Sequence, residues 1–349
     1  MRETMTGRIG KDPSDMTARV LSFPEQIRGA WRLAASQPLD VPATPSRVYV
    51  VGMGGSAIGG DFVRSYAEQH GRVAVEVVRG YQLPQAVDSE SFAFFVSYSG
   101  NTEETLAAWE EAGRRGVPRA VVTSGGALGA SAAEQGVPRV EIPGGSPPRA
   151  ALGWTSLPVF HALARAGLVA LTDADVAEAA TACEAVARRS GLDASPNAVR
   201  EWAEALPGRL PVVYTADVPY RPVAVRWMGQ INENAKTLCH VSLFPEHNHN
   251  EIVGWEVDSA VRDRIDLALL DDDAVHPRNR RRLALFESEA RRLGRRVTRF
   301  APEGRGLLAR LYSFALLGDF ASLWLAARLE VDPTPVASID RFKGELERS

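Results

Sequence analysis

The chain has 349 residues, 45% of them hydrophobic and 24% charged, with a formal net charge of −3. That is a globular balance with room for two domains and a large core, and it offers no basic field to nucleic acid or membrane. Two cysteines, Cys183 and Cys239, cannot build a disulfide framework, which suits a reducing cytoplasm. No apolar run is expected to reach the roughly 18 residues of a membrane helix. The first 15 residues mix charge, Gly and Pro without the apolar segment of a secretory signal.

In chain order, residues 1–45 read as a leader with one helix near Pro24 to Ala35. Arg47 to Val51 is an apolar, β-branched run ending in Gly52, so it predicts a buried strand, a glycine turn and a helix from about Ala57. Val73 to Val78, Phe92 to Ser97 and Ala120 to Thr123 read as strands, with a helix over Glu103 to Ala112. A helical stretch runs from Trp154 to about Arg189, and Ser195-Pro196 marks a break. The pattern then restarts: strands at Pro211 to Thr215, Ile265 to Leu270 and Arg296 to Phe300, and helices at Pro222 to Ala235, Pro277 to Leu293 and Gly306 to Ala327. A tail from Val331 opens with two prolines and ends in a short helix, Ile339 to Leu346. This alternation predicts an α/β protein with two doubly wound parallel sheets, each flanked by helices as an α-β-α sandwich. The expected boundaries are 1–45, 46–192, 193–330 and 331–349.

Ligands of open parallel sheets bind at the carboxyl ends of the strands. Two segments there suit a phosphate. Gly52-Met53-Gly54-Gly55-Ser56-Ala57-Ile58-Gly59-Gly60-Asp61 lets backbone approach an anion at a helix start. Ser97-Tyr98-Ser99-Gly100-Asn101-Thr102 supplies three hydroxyls between strand and helix. The plain alternatives are a tight turn and an N-cap, although a cap at Asn101 or Thr102 explains only one hydroxyl. A dinucleotide fingerprint fits less well, because Ala57 stands where the third glycine belongs and Glu76 is the sole acidic candidate downstream. Two further polar segments are Asn232-Glu233-Asn234-Ala235-Lys236 and Pro245-Glu246-His247-Asn248-His249-Asn250-Glu251. His247 and His249, with His240 and Glu251 nearby, have the look of a metal pair, but no other spaced Cys or His accompanies them and no metal is expected. Of 40 basic residues only Lys11, Lys236 and Lys343 are lysine, which marks these as places where an ammonium is wanted.

Together with Pro148-Arg149-Ala150 and the tail Asp332-Pro333-Thr334-Pro335-Val336, these motifs resemble the bifunctional phosphoglucose/phosphomannose isomerase family, which has two sugar-isomerase (SIS) domains. The resemblance spans about residue 20 to the end, with the motifs in the expected order. It implies a sugar 6-phosphate substrate with no cofactor or metal. Gly55, Ser56, Ser97, Ser99 and Thr102 would cradle the phosphate. Arg149 would stabilise an enediolate, and Glu233 would shuttle a proton between C1 and C2. His249, from the neighbouring subunit of a homodimer, and Lys343 from the tail would open the sugar ring. One departure is His247, where the family commonly has Leu. A sugar-phosphate sensor without turnover would keep the phosphate loops but has no need of Glu233, His249 and Lys343 together. An amino-sugar SIS enzyme would need an ammonia source that this chain lacks.

Overall fold

Val48–Val51 is buried on both faces, which is why its sequence is apolar without alternation: a parallel strand covered by helices has no wet side. The computed structural model describes residues 7–257, 259–346 and 348. The first six residues of the expected leader, and Asp258, Glu347 and Ser349, lie outside the described residues.

Among the described residues, the first half runs α1 (Met16–Leu21), α2 (Phe23–Ser36), β1 (Val48–Val51), α3 (Gly54–His70), β2 (Val75–Val78), β3 (Phe92–Ser97), α4 (Glu103–Arg114), β4 (Arg119–Thr123), α5 (Gly126–Glu134), β5 (Arg139–Glu141), α6 (Leu152–Arg165) and α7 (Asp173–Ser190). The second half runs α8 (Ala198–Glu204), β6 (Leu210–Ala216), α9 (Asp217–Ala235), β7 (His240–Phe244), β8 (Ile265–Leu270), α10 (Pro277–Arg292), β9 (Val297–Phe300), α11 (Leu307–Arg328) and the tail helix α12 (Ala337–Leu346). The first sheet has the order β2-β1-β3-β4-β5 and the second β7-β6-β8-β9. Every pairing is parallel. The expected class, two parallel sheets flanked by helices, is what the chain forms.

The differences have local causes. Helix α3 starts at Gly54, not near Ala57, so the glycines form its first turn. The stretch expected as one helix from Trp154 to Arg189 is two. Gly167 turns with φ +70°, and Thr172 starts α7 with a capping box to Asp175. Strands β5 and β7 are both edge strands that the sequence reading did not pick out; β5 is three residues with one apolar position, whereas β7, His-Val-Ser-Leu-Phe, mixes polar and apolar residues without an unbroken apolar run.

Helix α11 is long and apolar enough to cross a membrane by length and composition, contrary to the sequence expectation, but 94% of its most apolar stretch is buried inside the protein. It packs against α7, α8 and α9, within one apolar core that runs through both halves of the chain. A single acid, Asp319, interrupts it. Asp319 holds Arg226 of α9 through two bonds, Nε–Oδ1 3.1 Å and Nη2–Oδ2 2.8 Å, with both side chains buried. Removing one partner of a buried pair strands the other charge. Asp319→Ala should therefore lower stability by about 3–5 kcal/mol, read from the shift of a urea unfolding midpoint.

Candidate active site

Two turns at the carboxyl edge of the first sheet lie against each other. Ser56, in the first turn of α3, accepts the Tyr98 N–H at 3.0 Å and so ties the glycine turn to the serine loop. Ser97 and Thr102 share a hydroxyl–hydroxyl bond of 3.0 Å, and Ser97 also accepts the Gly100 N–H at 3.1 Å. Ser99 is exposed and accepts the Asn101 N–H at 3.2 Å. Thr102 occupies the N-cap position of α4 yet makes no cap bond, so capping explains none of these hydroxyls. Each takes its bond as an acceptor or within the one pair, which leaves hydroxyl protons to offer an anion. Gly100 is needed for the loop's shape: its φ is +70°, and a Cβ there would lie 1.8 Å from the Gly125 carbonyl oxygen.

Gly55 also answers a packing constraint. A Cβ on it would meet the Pro148 carbonyl carbon at 2.7 Å and the Arg149 nitrogen at 2.9 Å. The glycine admits the 3-10 turn Pro148–Ala150 against α3, and that turn presents Arg149. The Arg149 side chain is buried and makes four hydrogen bonds. Its Nε donates to Asn234 Oδ1 at 2.7 Å, Nη1 to Glu233 Oε2 at 3.2 Å, and Nη2 to the Pro333 and Thr334 carbonyls at 2.8 Å each. Burial pushes the guanidinium's pKa down, the Glu233 carboxylate raises it, and Arg226 lowers it again. Glu233 is half-buried, and its Oε1 makes no hydrogen bond among the described residues.

Beneath this pair lies a polar stripe that the sequence reading missed. Arg226, Gln230 and Asn234 recur every four residues along α9 and face α11. Arg226 Nη2 and Gln230 Nε2 donate to the Arg149 carbonyl at 2.9 and 3.3 Å, Gln230 Nε2 also reaches Asp319 Oδ1 at 2.6 Å, and Asn234 Nδ2 donates to Ser322 Oγ at 2.9 Å. The signal was present as three polar residues at helical spacing between Val223, Trp227 and Ile231, and as one acid inside an apolar helix.

Glu233 borders two spaces. One is a cavity of 190 Å³ shared with Gly54, Gly55, Arg79, Arg149 and Gln230; Arg79 pairs with Asp61. The other is a groove of 580 Å³ between the end of α9 and the tail, lined by Lys236, Leu238, Pro335 and Ile339 among others. None of the four hydroxyls lines the first cavity; the glycine turn reaches it through Gly54 and Gly55. Thr334, whose own carbonyl Arg149 holds, has a buried Oγ1 without a partner among the described residues.

His249 and Lys343 are not brought to Glu233 within this chain. His249 ends the 3-10 turn Glu246–His249, is exposed, and makes no side-chain hydrogen bond among the described residues. Helix α9 runs antiparallel to the strands it joins, so Glu233 lies at the amino edge of the second sheet, whereas His249 follows the carboxyl end of β7. Lys343 is exposed on α12, a helix with no buried residue. His247 neither points to solvent nor lies free beside His249. It is 2% exposed and packs on the rings of Tyr214, Phe244 and Phe286, with Nδ1 3.2 Å from Ser242 Oγ. The position is a core position, which fits an apolar residue elsewhere. Glu251 fastens this loop: it accepts the Tyr214 hydroxyl at 2.6 Å and lies 3.5 Å from His240 and 3.7 Å from His247.

Comparison with known proteins agrees with this architecture. Residues 43–134 match the SIS domain, and residues 196–346 match the bacterial phospho-glucose isomerase C-terminal SIS domain. A solved hypothetical protein of Thermus thermophilus has the same fold at TM-score 0.77 and 16% identity, covering 97% of this chain and 91% of that one. The chain is therefore a two-SIS-domain protein. A bifunctional phosphoglucose/phosphomannose isomerase of Caldicellulosiruptor bescii is 34% identical over 95% of this chain and 98% of its own length, and one of Thermoplasma acidophilum is 36% identical over 87% and 90%. The chain belongs to the bifunctional phosphoglucose/phosphomannose isomerase family.

The loop that carries His249 has a pH signature. Burial alone would push the Glu251 carboxyl up, but the polar groups of His247, Ser242 and Tyr214 around it outweigh that and bring the pKa down to about 2. An unfolded Glu titrates near 4.3, so the folded form binds its proton less readily. Its stabilising contribution is complete above that value and is lost as pH falls toward about 2. Glu251→Gln should be less stable than the parent at pH 7, and the gap in urea midpoint should close as the pH is lowered from 5 to about 2. A gap independent of pH would contradict this.

Proposed function

We propose that this chain is an aldose–ketose isomerase that interconverts glucose 6-phosphate and mannose 6-phosphate with fructose 6-phosphate through an enediolate. The observation that carries the reading is the Arg149–Glu233 pair: a carboxylate with one oxygen unengaged, beside a buried cation, at the joint of two domains. A proton next to a carbonyl is weakly acidic, so its removal needs a positioned base and a cation for the oxyanion that develops. Glu233 takes the proton from one carbon and returns it to the neighbouring one. The planar enediolate loses its stereochemistry at C2, so one base serves both aldoses. The phosphate does not react. Its contacts with Gly55, Ser56, Ser97, Ser99 and Thr102 hold the reacting carbons in place, so remote binding energy becomes orientation.

The active unit in this reading is a homodimer. His249 lies at the far end of β7 from its own Glu233, a span of about 13 Å along the strand alone. The neighbour's His249 would enter beside Glu233 for ring opening. The open groove there, with Leu238 81% and Ile339 42% exposed, and the exposed Val253 and Val257 after His249, are surfaces suited to such a contact. Lys343 would join from α12 as the tail settles. The domain limits near residues 45, 192 and 330 belong to the same reading, as does a cytoplasmic setting for the free thiols Cys183 and Cys239.

A coupled assay starting from fructose 6-phosphate should yield both glucose 6-phosphate and mannose 6-phosphate, and Glu233→Gln should abolish both. Binding without turnover would instead favour a sensor. Mixed Glu233→Gln and His249→Ala chains, each inactive alone, should regain part of the activity through hybrid dimers with one intact site. No recovery after demonstrated subunit exchange would rule out the shared site. Ser99→Ala should weaken substrate binding by about 1–3 kcal/mol with a smaller effect on kcat, because one hydrogen bond to a charged group is lost.

A further inference from the structure

Lys236 stands where a lysine is not expected. It ends α9 with φ 54° and ψ 33°, in the left-handed region, where a helix C-terminus ordinarily has Gly or Asn. It is also one of only three lysines among 40 basic residues. The side chain explains the choice. Its Nζ turns back and donates to the Glu233 carbonyl at 2.6 Å and to the Pro333 carbonyl at 3.2 Å. The first bond satisfies a carbonyl that the helix end leaves free. The second crosses to the tail.

Pro333 is thus held by two cations from two halves of the molecule. Arg149, from the first, donates to Pro333 and Thr334, and Lys236, from the second, donates to Pro333. The tail beyond this clamp, from Pro335 to Ile339, forms one wall of the groove whose other wall holds Glu233 and Lys236. A compact ammonium suits the task, because it can point at two carbonyls without the planar fork of an arginine.

We propose that Lys236 is a positioning residue that latches the tail across the catalytic groove. It fixes where α12 begins and so where Lys343 can reach. The proposal deepens the isomerase reading and rests on it for the effect on turnover, but not for the latch itself. Burial, with help from Arg149, pushes the Lys236 pKa below that of an ordinary lysine, so as pH rises the ammonium is lost earlier than on a surface lysine.

The test uses the full chain and the variants Lys236→Gly, Lys236→Met and Lys236→Arg. Thermal midpoint, kcat and KM for fructose 6-phosphate, and the rate of tryptic cleavage at Arg341 and Lys343 are measured for each. Glycine relieves the left-handed backbone, so Lys236→Gly should melt no lower than the parent. Its tail should nevertheless be cut several-fold faster. Its kcat should fall by about tenfold or more with little change in KM, because the phosphate loops are untouched and only positioning is lost. Lys236→Met should also lose the latch, whereas Lys236→Arg should recover part of the tail protection. Unchanged cleavage and kcat in Lys236→Gly would overturn the proposal. So would parallel losses of melting point and activity, which mark a helix cap and nothing more. If the parent itself does not turn over fructose 6-phosphate, the isomerase reading fails, while the cleavage rates still decide the latch.

Discussion

The Arg149 guanidinium is the point on which the structure turns. A guanidinium has five N–H donors, and four bonds are made here within the protein, to Asn234, Glu233, Pro333 and Thr334. One N–H on Nη1 remains, on the same nitrogen that holds Glu233. The carbonyl of the same residue accepts from Arg226 and Gln230. Both ends of one residue therefore fasten the first domain to α9, and the side chain adds the tail. A buried cation tolerates this only with a carboxylate and several acceptors around it, because an unmatched charge in the core is costly.

The arrangement also sets which edges of the two sheets meet. The glycine and serine turns follow the carboxyl ends of β1 and β3, while Glu233 lies at the end of α9, on the amino edge of the second sheet. The two sheets thus contribute differently: one supplies the turns at its carboxyl edge, the other a helix terminus that carries Glu233. Gly55 is the hinge of this geometry, since any side chain there would push the Pro148–Arg149 turn away. Glu233 borders both the cavity beside Arg149 and the groove beside the tail.

Much of this was legible in the sequence. The β-branched run at Val48–Val51 and the apolar run at Ile265–Leu270 announce buried strands, and the glycine and serine segments mark the turns where β1 and β3 end. The motif match identified Arg149 and Glu233, which the fold brings together over 84 positions of sequence. What was not legible depended on tertiary contact. Edge strands such as Arg139–Glu141 carry little periodicity. The stripe of Arg226, Gln230 and Asn234 makes sense only once Asp319 and Ser322 are seen opposite it. His247 has the look of half a metal pair because it sits among polar residues in the sequence, yet its neighbours in space are aromatic rings. His249 and Lys343 were singled out only through family resemblance, and a single chain leaves both exposed.

The central claim is that the Arg149–Glu233 pair moves a proton, not a hydride, between adjacent carbons. Isomerisation in deuterated water tests it most directly. Glucose 6-phosphate converted to fructose 6-phosphate should acquire deuterium at C1, and mannose 6-phosphate formed from it should acquire deuterium at C2, because a carboxylate base exchanges its proton with solvent. Glu233→Gln should show neither turnover nor exchange. Rapid turnover by the parent protein with no deuterium in any product, or exchange that persists in Glu233→Gln, would contradict the account.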